Sequence, residues 1–221
     1  MMQEKKEENL MDKIVSLCKR RGFIFAGSEI YGGFAGTYDW GHLGVALKRN
    51  ITDMWTKSMQ DHYNMTFLDS SIFTSGKVWE ASGHVSGFSD PLVTCNLCKE
   101  KLRADHLLEA IGVKADEKLT DVAINEIFDK NRPNLKCPKC GGKDFGKVRA
   151  TNLLATSNLG MLDDNEGQVY LRGETAQGIF INYKNVLDSG FVSIPFGIAQ
   201  IGKAFRNEIS PRQFLFRKRE F

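Results

Sequence analysis

Leu10, Ile14, Leu17 and Cys18 recur at helical spacing, and Arg20, Arg21 and Gly22 follow as residues suited to a helix C-terminus. This pattern predicts an amphipathic first helix with Cys18 packed on its apolar side. A short apolar strand at 23–26 then gives way to a shaped loop in which Gly32-Gly33, Gly36 and Gly41 lie between aromatic residues. Their spacing does not match the G-x-G-x-x-G turn that opens a nucleotide-binding helix, so turn chemistry accounts for them. Leu43, Leu47, Ile51, Met54, Trp55 and Met59 mark a second amphipathic helix, whose stripe faces a core or a partner subunit. Residues 66–73 read as a strand and 76–90 as irregular chain.

The composition shifts at Pro91. Beyond it, 105–111 and 120–129 read as helices, the second with Thr120 as N-cap and Ala123, Ile124, Ile127 and Phe128 on one face. Residues 91–142 are therefore predicted to form an inserted module with a small core of its own. After Cys140 the pattern returns to strand. A helix follows, carrying Ala176, Ile179, Phe180, Tyr183 and Leu187, and Gly190 ends it. Neither an internal repeat nor a low-complexity tract interrupts this order.

With 221 residues, 42% hydrophobic and 26% charged, the chain has the composition of a folding globular protein with room for one main core and an insertion. The net charge of +3 allows contact with phosphate without specifying it. The first eight residues are polar and mixed in charge, unlike a secretory signal, and no run of about 18 apolar residues occurs. A membrane-spanning protein is thereby excluded at this level. Four of the five cysteines form two Cys-x-x-Cys pairs and Cys18 stands apart, a usage that fits a reducing compartment and predicts a cytoplasmic location.

Cys95-Asn96-Leu97-Cys98 and Cys137-Pro138-Lys139-Cys140 are chelating turns, because two intervening residues let both thiolates point at one ion. Thirty-eight residues separate the pairs, so the module must loop out between its knuckles, and Gly141-Gly142 supports the second turn. Four sulfurs make a closed tetrahedral Zn²⁺ site with no open position, which predicts a structural role for Cys95, Cys98, Cys137 and Cys140. None of His42, His62, His84 and His106 stands at ligand spacing to another, so each reads as a surface or packing residue.

Residues 196–208 alternate as a strand, with Gln200, Gly202, Ala204, Arg206 and Glu208 on one face. A polar loop over 210–213 and a return strand over 214–221, with Arg217, Arg219 and Phe221 on one face, would complete a hairpin. Guanidinium forks suit phosphate oxygens, a carboxylate accepts from an exocyclic amine, and a phenyl ring stacks on a base. Such a hairpin can cradle ATP. A solvated edge strand blunted by charge has the same pattern.

Phe205-Arg206-Asn207-Glu208, a loop, then Arg217-x-x-x-Phe221 resembles the second signature motif of class II aminoacyl-tRNA synthetases. Ser28-Glu29-Ile30-Tyr31-Gly32-Gly33, Leu43-Gly44-Val45-Ala46-Leu47-Lys48, Leu102-Arg103-Ala104-Asp105-His106, Glu174-Thr175-Ala176-Gln177-Gly178-Ile179-Phe180 and Gln200-Ile201-Gly202-Lys203-Ala204-Phe205 resemble glycyl-tRNA synthetases of the homodimeric type. The resemblance implies that Arg206 holds the α-phosphate and the amino-acid carboxylate, that Glu208 reads the adenine amine, and that Arg217 reaches the far phosphates. Phe221 would stack on adenine beside the glycine pocket, with Asn207, Phe216, Lys218, Arg219 and Glu220 lining the ATP site. Arg103 and Glu174 would contact glycine, Glu174 through the ammonium group. ATP, Mg²⁺, glycine and its tRNA are the implied reactants, and the helix over 43–60 the implied homodimer contact.

The expected fold is α+β: the first part of an antiparallel class II sheet with flanking helices over 1–90 and 143–221, and the zinc insertion at 91–142. Gly173 and His42 depart from the family, which usually has proline at both places. The chain stops before the family's third motif and its catalytic arginine, so inactivity alone is expected. Two other readings follow from the same residues: a catalytically silent relative that binds nucleotide or a partner subunit, and a zinc-ribbon nucleic-acid module. The second calls for a basic, aromatic-rich insertion, whereas Phe128 is the one aromatic in 95–140.

Overall fold

A computed structural model describes residues 10–62, 64–114, 121–160, 167–190, 192–208 and 214–221. The elements in chain order are α1 (Leu10–Arg20), β1 (Ile24–Ala26), β2 (Tyr38–Trp40), α2 (His42–His62), β3 (Met65–Phe67), β4 (Phe73–Thr74), α3 (Gly76–Ala81) and α4 (His84–Gly87). They continue with β5 (Ser89–Thr94), β6 (Lys101–Arg103), α5 (Ala104–Glu109), α6 (Asp121–Asn131), β7 (Arg149–Asn152), β8 (Thr156–Asn158), β9 (Gln168–Leu171), α7 (Ala176–Asp188) and β10 (Gly197–Ala199). The chain is thus mixed α+β. It divides into two compact units, one of 1–71, 175–203 and 211–221, the other of 72–174 and 204–210. The expected polar start, the Thr120 cap and the 210–213 loop lie outside the described residues. None of the described helices is long and apolar enough to cross a membrane.

In the first unit β1 and β2 pair antiparallel, Phe25 opposite Asp39, while β3 and β10 pair parallel, Thr66 opposite Ile198. The start of α2 is seated on the chain before β1: Leu43 N–H donates to Gly22 O at 3.2 Å and Gly41 N–H to Phe23 O at 3.0 Å. Gly44 is what permits this approach, since a Cβ there would run into the Phe23 carbonyl. The long α2 carries the periodic stripe read from sequence, and Leu43, Leu47, Ile51, Met54 and Trp55 stand exposed along it.

The second unit holds two three-stranded antiparallel sheets, ordered β4-β9-β8 and β6-β5-β7. The segment expected to be irregular from 76 to 90 instead forms α3, α4 and the start of β5; Ser75 caps α3 by accepting from Lys77 N–H. Residues 66–73 are likewise not one strand, because β3 and the two-residue β4 pair with different partners in different sheets.

A single apolar cluster organises the region around the cysteines: Val93, Leu102, Leu107, Leu108, Ile124, Phe128, Leu135, Phe145 and Val148, with Cys95 and Cys137 among them. Ile124 and Phe128 point inward from α6 at the expected i, i+4 spacing. Asn125 completes the packing by pairing both ways with the backbone of one residue, donating to Val148 O at 2.8 Å and accepting from Val148 N–H at 2.9 Å. Arg132 closes the same face, donating to the Phe145 and Gly146 carbonyls and lying over the Phe128 ring, 5.5 Å from its centroid.

Phe128 is fully buried. Its replacement by alanine is expected to lower unfolding free energy by about 3–5 kcal/mol, against under about 0.5 kcal/mol for Val122→Ala at an exposed position of the same helix. Urea unfolding followed by circular dichroism measures both.

Candidate functional site

The four paired cysteines meet. Their sulfur atoms all lie within 4.8 Å of one another, with Cys95 Sγ 3.7 Å from Cys140 Sγ and Cys98 Sγ 3.6 Å from Cys137 Sγ. A tetrahedron with metal–sulfur bonds of about 2.3 Å has edges of about 3.8 Å, so these two separations already match a filled four-sulfur site. Both knuckles are built alike. Cys95 N–H donates to Glu100 O at 2.9 Å and Lys99 N–H to Cys95 O at 2.9 Å; Cys137 N–H donates to Gly142 O at 2.8 Å and Gly141 N–H to Cys137 O at 2.8 Å. The residue after each second cysteine is left-handed, Lys99 at φ 59° and Gly141 at φ 73°. Glycine adopts that conformation without strain, whereas Lys99 adopts it against its side chain.

Backbone N–H groups of Cys98 and Leu97 hold the Cys95 thiol down at about 7. Cys98, although the Glu100 N–H stabilises its thiolate, is pushed up to about 12 by burial and by the neighbouring sulfurs. Four adjacent thiols cannot all ionise without a cation among them, and a divalent metal removes that conflict. Lys139 crosses from one knuckle to the other, 2.6 Å from Glu100, a partner that raises its ammonium pKa.

Further along β5 and β6, Arg103 is gripped by two acids. Its Nε donates to Asp105 Oδ1 at 3.1 Å, its Nη2 to Asp105 Oδ2, and its Nη1 lies 3.0 Å from Asp90 Oδ1. Burial alone would raise the Asp105 carboxyl, yet the Arg103 hydrogen bonds and charge hold it below the usual carboxylate range. Its contribution to stability is therefore present above its unfolded pKa and is lost as pH falls through the lowered folded value. The guanidinium expected to contact an amino acid is here part of a nearly buried acid–base cluster.

The same unit gathers Glu174, Arg206, Phe88 and His84. Arg206 donates from Nε to Gly173 O at 3.2 Å and lies over Phe88, 5.1 Å from the ring centroid. Glu174 Oε1 is 3.4 Å from His84 Nε2, and the His84 ring stands edge-on to Phe88 at 5.3 Å between centroids. Asn207 N–H donates to Leu153 O at 2.7 Å, and the Glu208 side chain is buried.

The turn of the expected hairpin, 209–213, lies outside the described residues, and its two arms are only in part strand. Among the described residues, only Gly197–Ala199 of 196–208 is a strand, and Phe214–Phe216 is a 3₁₀ turn. Backbone hydrogen bonds explain the difference: Phe205 N–H goes to Arg172 O, Asn207 N–H to Leu153 O, and Arg206 bridges antiparallel to Leu154. Residues 204–208 therefore belong with the second unit. Residues 214–221 belong with the first, where Arg219 N–H donates to Gly36 O at 2.9 Å, Arg219 lies over Phe34 and Lys218 over Trp40. Desolvation and the nearby Lys48 and Lys203 lower the Lys218 pKa against the opposing effect of Glu220, which pairs with Lys203. Phe216 and Phe221 are exposed.

No family model matches the chain. Curated relatives do. The chain is 50% identical to a glycine–tRNA ligase of Clostridium acetobutylicum over 98% of its own length and 48% of that enzyme's. It is 49% identical to one of Alkaliphilus oremlandii over 97% of its length and 47% of the relative's, and 49% identical to one of Treponema denticola over 96% and 42%. The chain is a homologue of the glycine–tRNA ligases. It spans about half the length of the curated relatives it matches.

His84, expected to be a surface or packing residue, does pack against Trp79 and Phe88, and its approach to Glu174 is what no sequence signal foretold. No spacing marks it, because its partner Glu174 lies 90 positions away. The one local signal is the Trp79-x-x-Ser82-x-His84 run, which places a hydroxyl and an indole beside the imidazole.

Protein prepared without chelator is expected to hold about one tetrahedral metal ion per chain, and Cys137→Ser to lose it. Chelation is expected to lower the unfolding midpoint, since the ligands belong to the apolar cluster. Metal analysis and thermal denaturation measure this, and full metal content in Cys137→Ser would contradict it.

Proposed function

We propose that the intact protein is a cytoplasmic glycine–tRNA ligase that activates glycine with ATP as glycyl-adenylate and passes it to tRNA. Near-complete alignment of the chain with curated relatives of that name carries the reading. Its geometric support is that Glu174 and Arg206, a carboxylate suited to an ammonium group and a guanidinium suited to phosphate, are tied through one residue: the Gly173 carbonyl holds Arg206 beside Glu174.

The chemistry asks for no general base. A glycine carboxylate, already ionised at neutral pH, attacks the α-phosphorus of ATP, and pyrophosphate leaves with the electron pair of the broken P–O bond. Arg206 balances charge gathering on the α-phosphoryl oxygens, and Glu174 orients the nucleophile through its ammonium group. Glu208 is assigned to the adenine amine, Phe221 to stacking on adenine beside the glycine pocket, and Arg217 to the far phosphates. Asn207, Phe216, Lys218, Arg219 and Glu220 are assigned to the lining of the ATP site. Arg103 acts at the glycine site from its carboxylate clamp. Mg²⁺ would offset phosphate charge.

Cys95, Cys98, Cys137 and Cys140 would hold structural zinc within an insertion over 91–142, between catalytic-domain segments of a class II antiparallel sheet. Exposed Leu43, Leu47, Ile51, Met54 and Trp55 on α2 suit burial in a homodimer.

Glu174→Gln in the intact enzyme is expected to raise the glycine KM while the ATP KM changes little; equal losses would reassign Glu174 to structure. Arg206→Ala is expected to lower kcat for glycine-dependent pyrophosphate exchange by about 100-fold or more, with ATP binding less affected. Lysine should rescue poorly, because a point charge cannot span phosphate and carboxylate as a guanidinium does. Near-normal kcat with a raised ATP KM would withdraw the catalytic role.

A further inference from the structure

His84 has a partner at each ring nitrogen and an aromatic residue against its ring on two sides. Nδ1 lies 2.9 Å from Ser82 Oγ, Nε2 lies 3.4 Å from Glu174 Oε1, and the ring packs edge-on to Trp79 and Phe88, each near 5.2–5.3 Å between centroids. Asn152 Nδ2 anchors the backbone beneath it, donating to His84 O at 3.2 Å and to Val85 O at 2.8 Å.

The proton inventory is restrictive. Ser82 has one hydroxyl hydrogen and two acceptors within reach, His84 Nδ1 at 2.9 Å and Trp79 O at 3.3 Å. When the hydroxyl donates to Nδ1, a neutral ring carries its hydrogen on Nε2, facing Glu174. When it turns to Trp79 O, Nδ1 must itself donate, and Nε2 still meets Glu174 with a hydrogen only in the imidazolium. A ring protonated on Nδ1 alone would oppose a lone pair to a carboxylate oxygen. Ser82 partners Nδ1 in either state, and Glu174 is attracted only by a ring that carries hydrogen on Nε2.

We propose that His84, held at Nδ1 by Ser82, is a positioning residue that aims the Glu174 carboxylate at the amino group of the amino-acid substrate. This rests on the assignment of Glu174 to that group. His84 acts through Glu174 and touches no reacting atom. Because Arg206 lies over the same Phe88 ring that borders His84, the carboxylate and the phosphate-directed guanidinium share one aromatic support.

The test combines pyrophosphate-exchange kinetics of the intact enzyme with histidine nitrogen NMR of the 221-residue chain. His84→Phe keeps a ring against Trp79 and Phe88 and removes the donor. It is expected to raise the glycine KM about tenfold or more, the scale of one hydrogen bond to a charged group, with the ATP KM within about twofold. His84→Gln, which returns an N–H near the Nε2 position, should recover most of the loss. In a Glu174→Gln background His84→Phe should add nothing to the glycine KM. Equal rises in both KM values, or a rise that multiplies with that of Glu174→Gln, overturns the proposal. If Glu174→Gln itself leaves the glycine KM unchanged, the amino-acid-site assignment fails first and takes the proposal with it. A normal His84→Phe beside a defective Glu174→Gln sinks the proposal alone. In the NMR arm, wild-type His84 should carry hydrogen on Nε2, and that resonance should move on Glu174→Gln and on Ser82→Ala. An Nε2 signal indifferent to Glu174→Gln overturns the proposal even if the kinetic variants fold poorly.

Discussion

The convergence of four sulfurs is the constraint on which the second unit depends. It joins two cysteine pairs with 38 residues between them, and closing so long a segment costs conformational entropy that the small cluster around Phe128 must offset. Cys95 and Cys137 are themselves members of that cluster, so ligand and core are the same atoms. An ion that binds only the folded arrangement adds its binding free energy to folding. The matched hydrogen-bond pairs of the knuckles keep both turns in one shape, and the Lys139–Glu100 pair ties one to the other.

From the first knuckle the constraint runs along a single strand. β5 ends at Thr94 beside Cys95, and near its other end Asp90 shares Arg103 with Asp105. Phe88, immediately before the strand, supports Arg206 and borders His84. Antiparallel pairing of Ser89 with Asn152, continued by Leu153 N–H to Phe88 O and Asn207 N–H to Leu153 O, brings Arg206 onto that ring. Backbone pairing that begins at the cysteines therefore extends to residues assigned to chemistry. A metal held by the four cysteines would thereby have a physical route to those residues while staying outside the proposed reaction.

The sequence made some of this legible because some of it is local. Helical periodicity marked α1, α2, α5, α6 and α7, and the two Cys-x-x-Cys turns announced a ligand set that comes in pairs with two residues between the members of each. Residues 196–221 show the limit of such signals. Alternation at period two identifies extended chain but says nothing about which backbone it pairs with, and here the partners are residues 153–154 and 172 for one part and Gly36 for another. α3 and α4, at 6 and 4 residues, are too short to show a period at all. The approach of His84 to Glu174 was invisible for a related reason, since a histidine whose partner is a distant carboxylate leaves no spacing to read.

Gly173 shows how a departure from a family pattern can be accommodated locally. Where the class II resemblance would place proline, this chain has a glycine whose carbonyl receives Arg206 Nε and whose missing Cβ leaves room for Leu154: an added Cβ would stand 3.0 Å from Leu154 Cδ2. Leu154 is also the residue that bridges to Arg206. A bulkier position 173 would press on the leucine and hence on the bridge that sets the height of the guanidinium above Phe88. Proline would instead fix φ, lowering the entropy lost when Glu174 is placed, and would require Leu154 to yield by a few tenths of an ångström. Glycine here favours close packing beneath Arg206 at the cost of backbone freedom next to Glu174, whose carboxylate lies 3.4 Å from His84 Nε2.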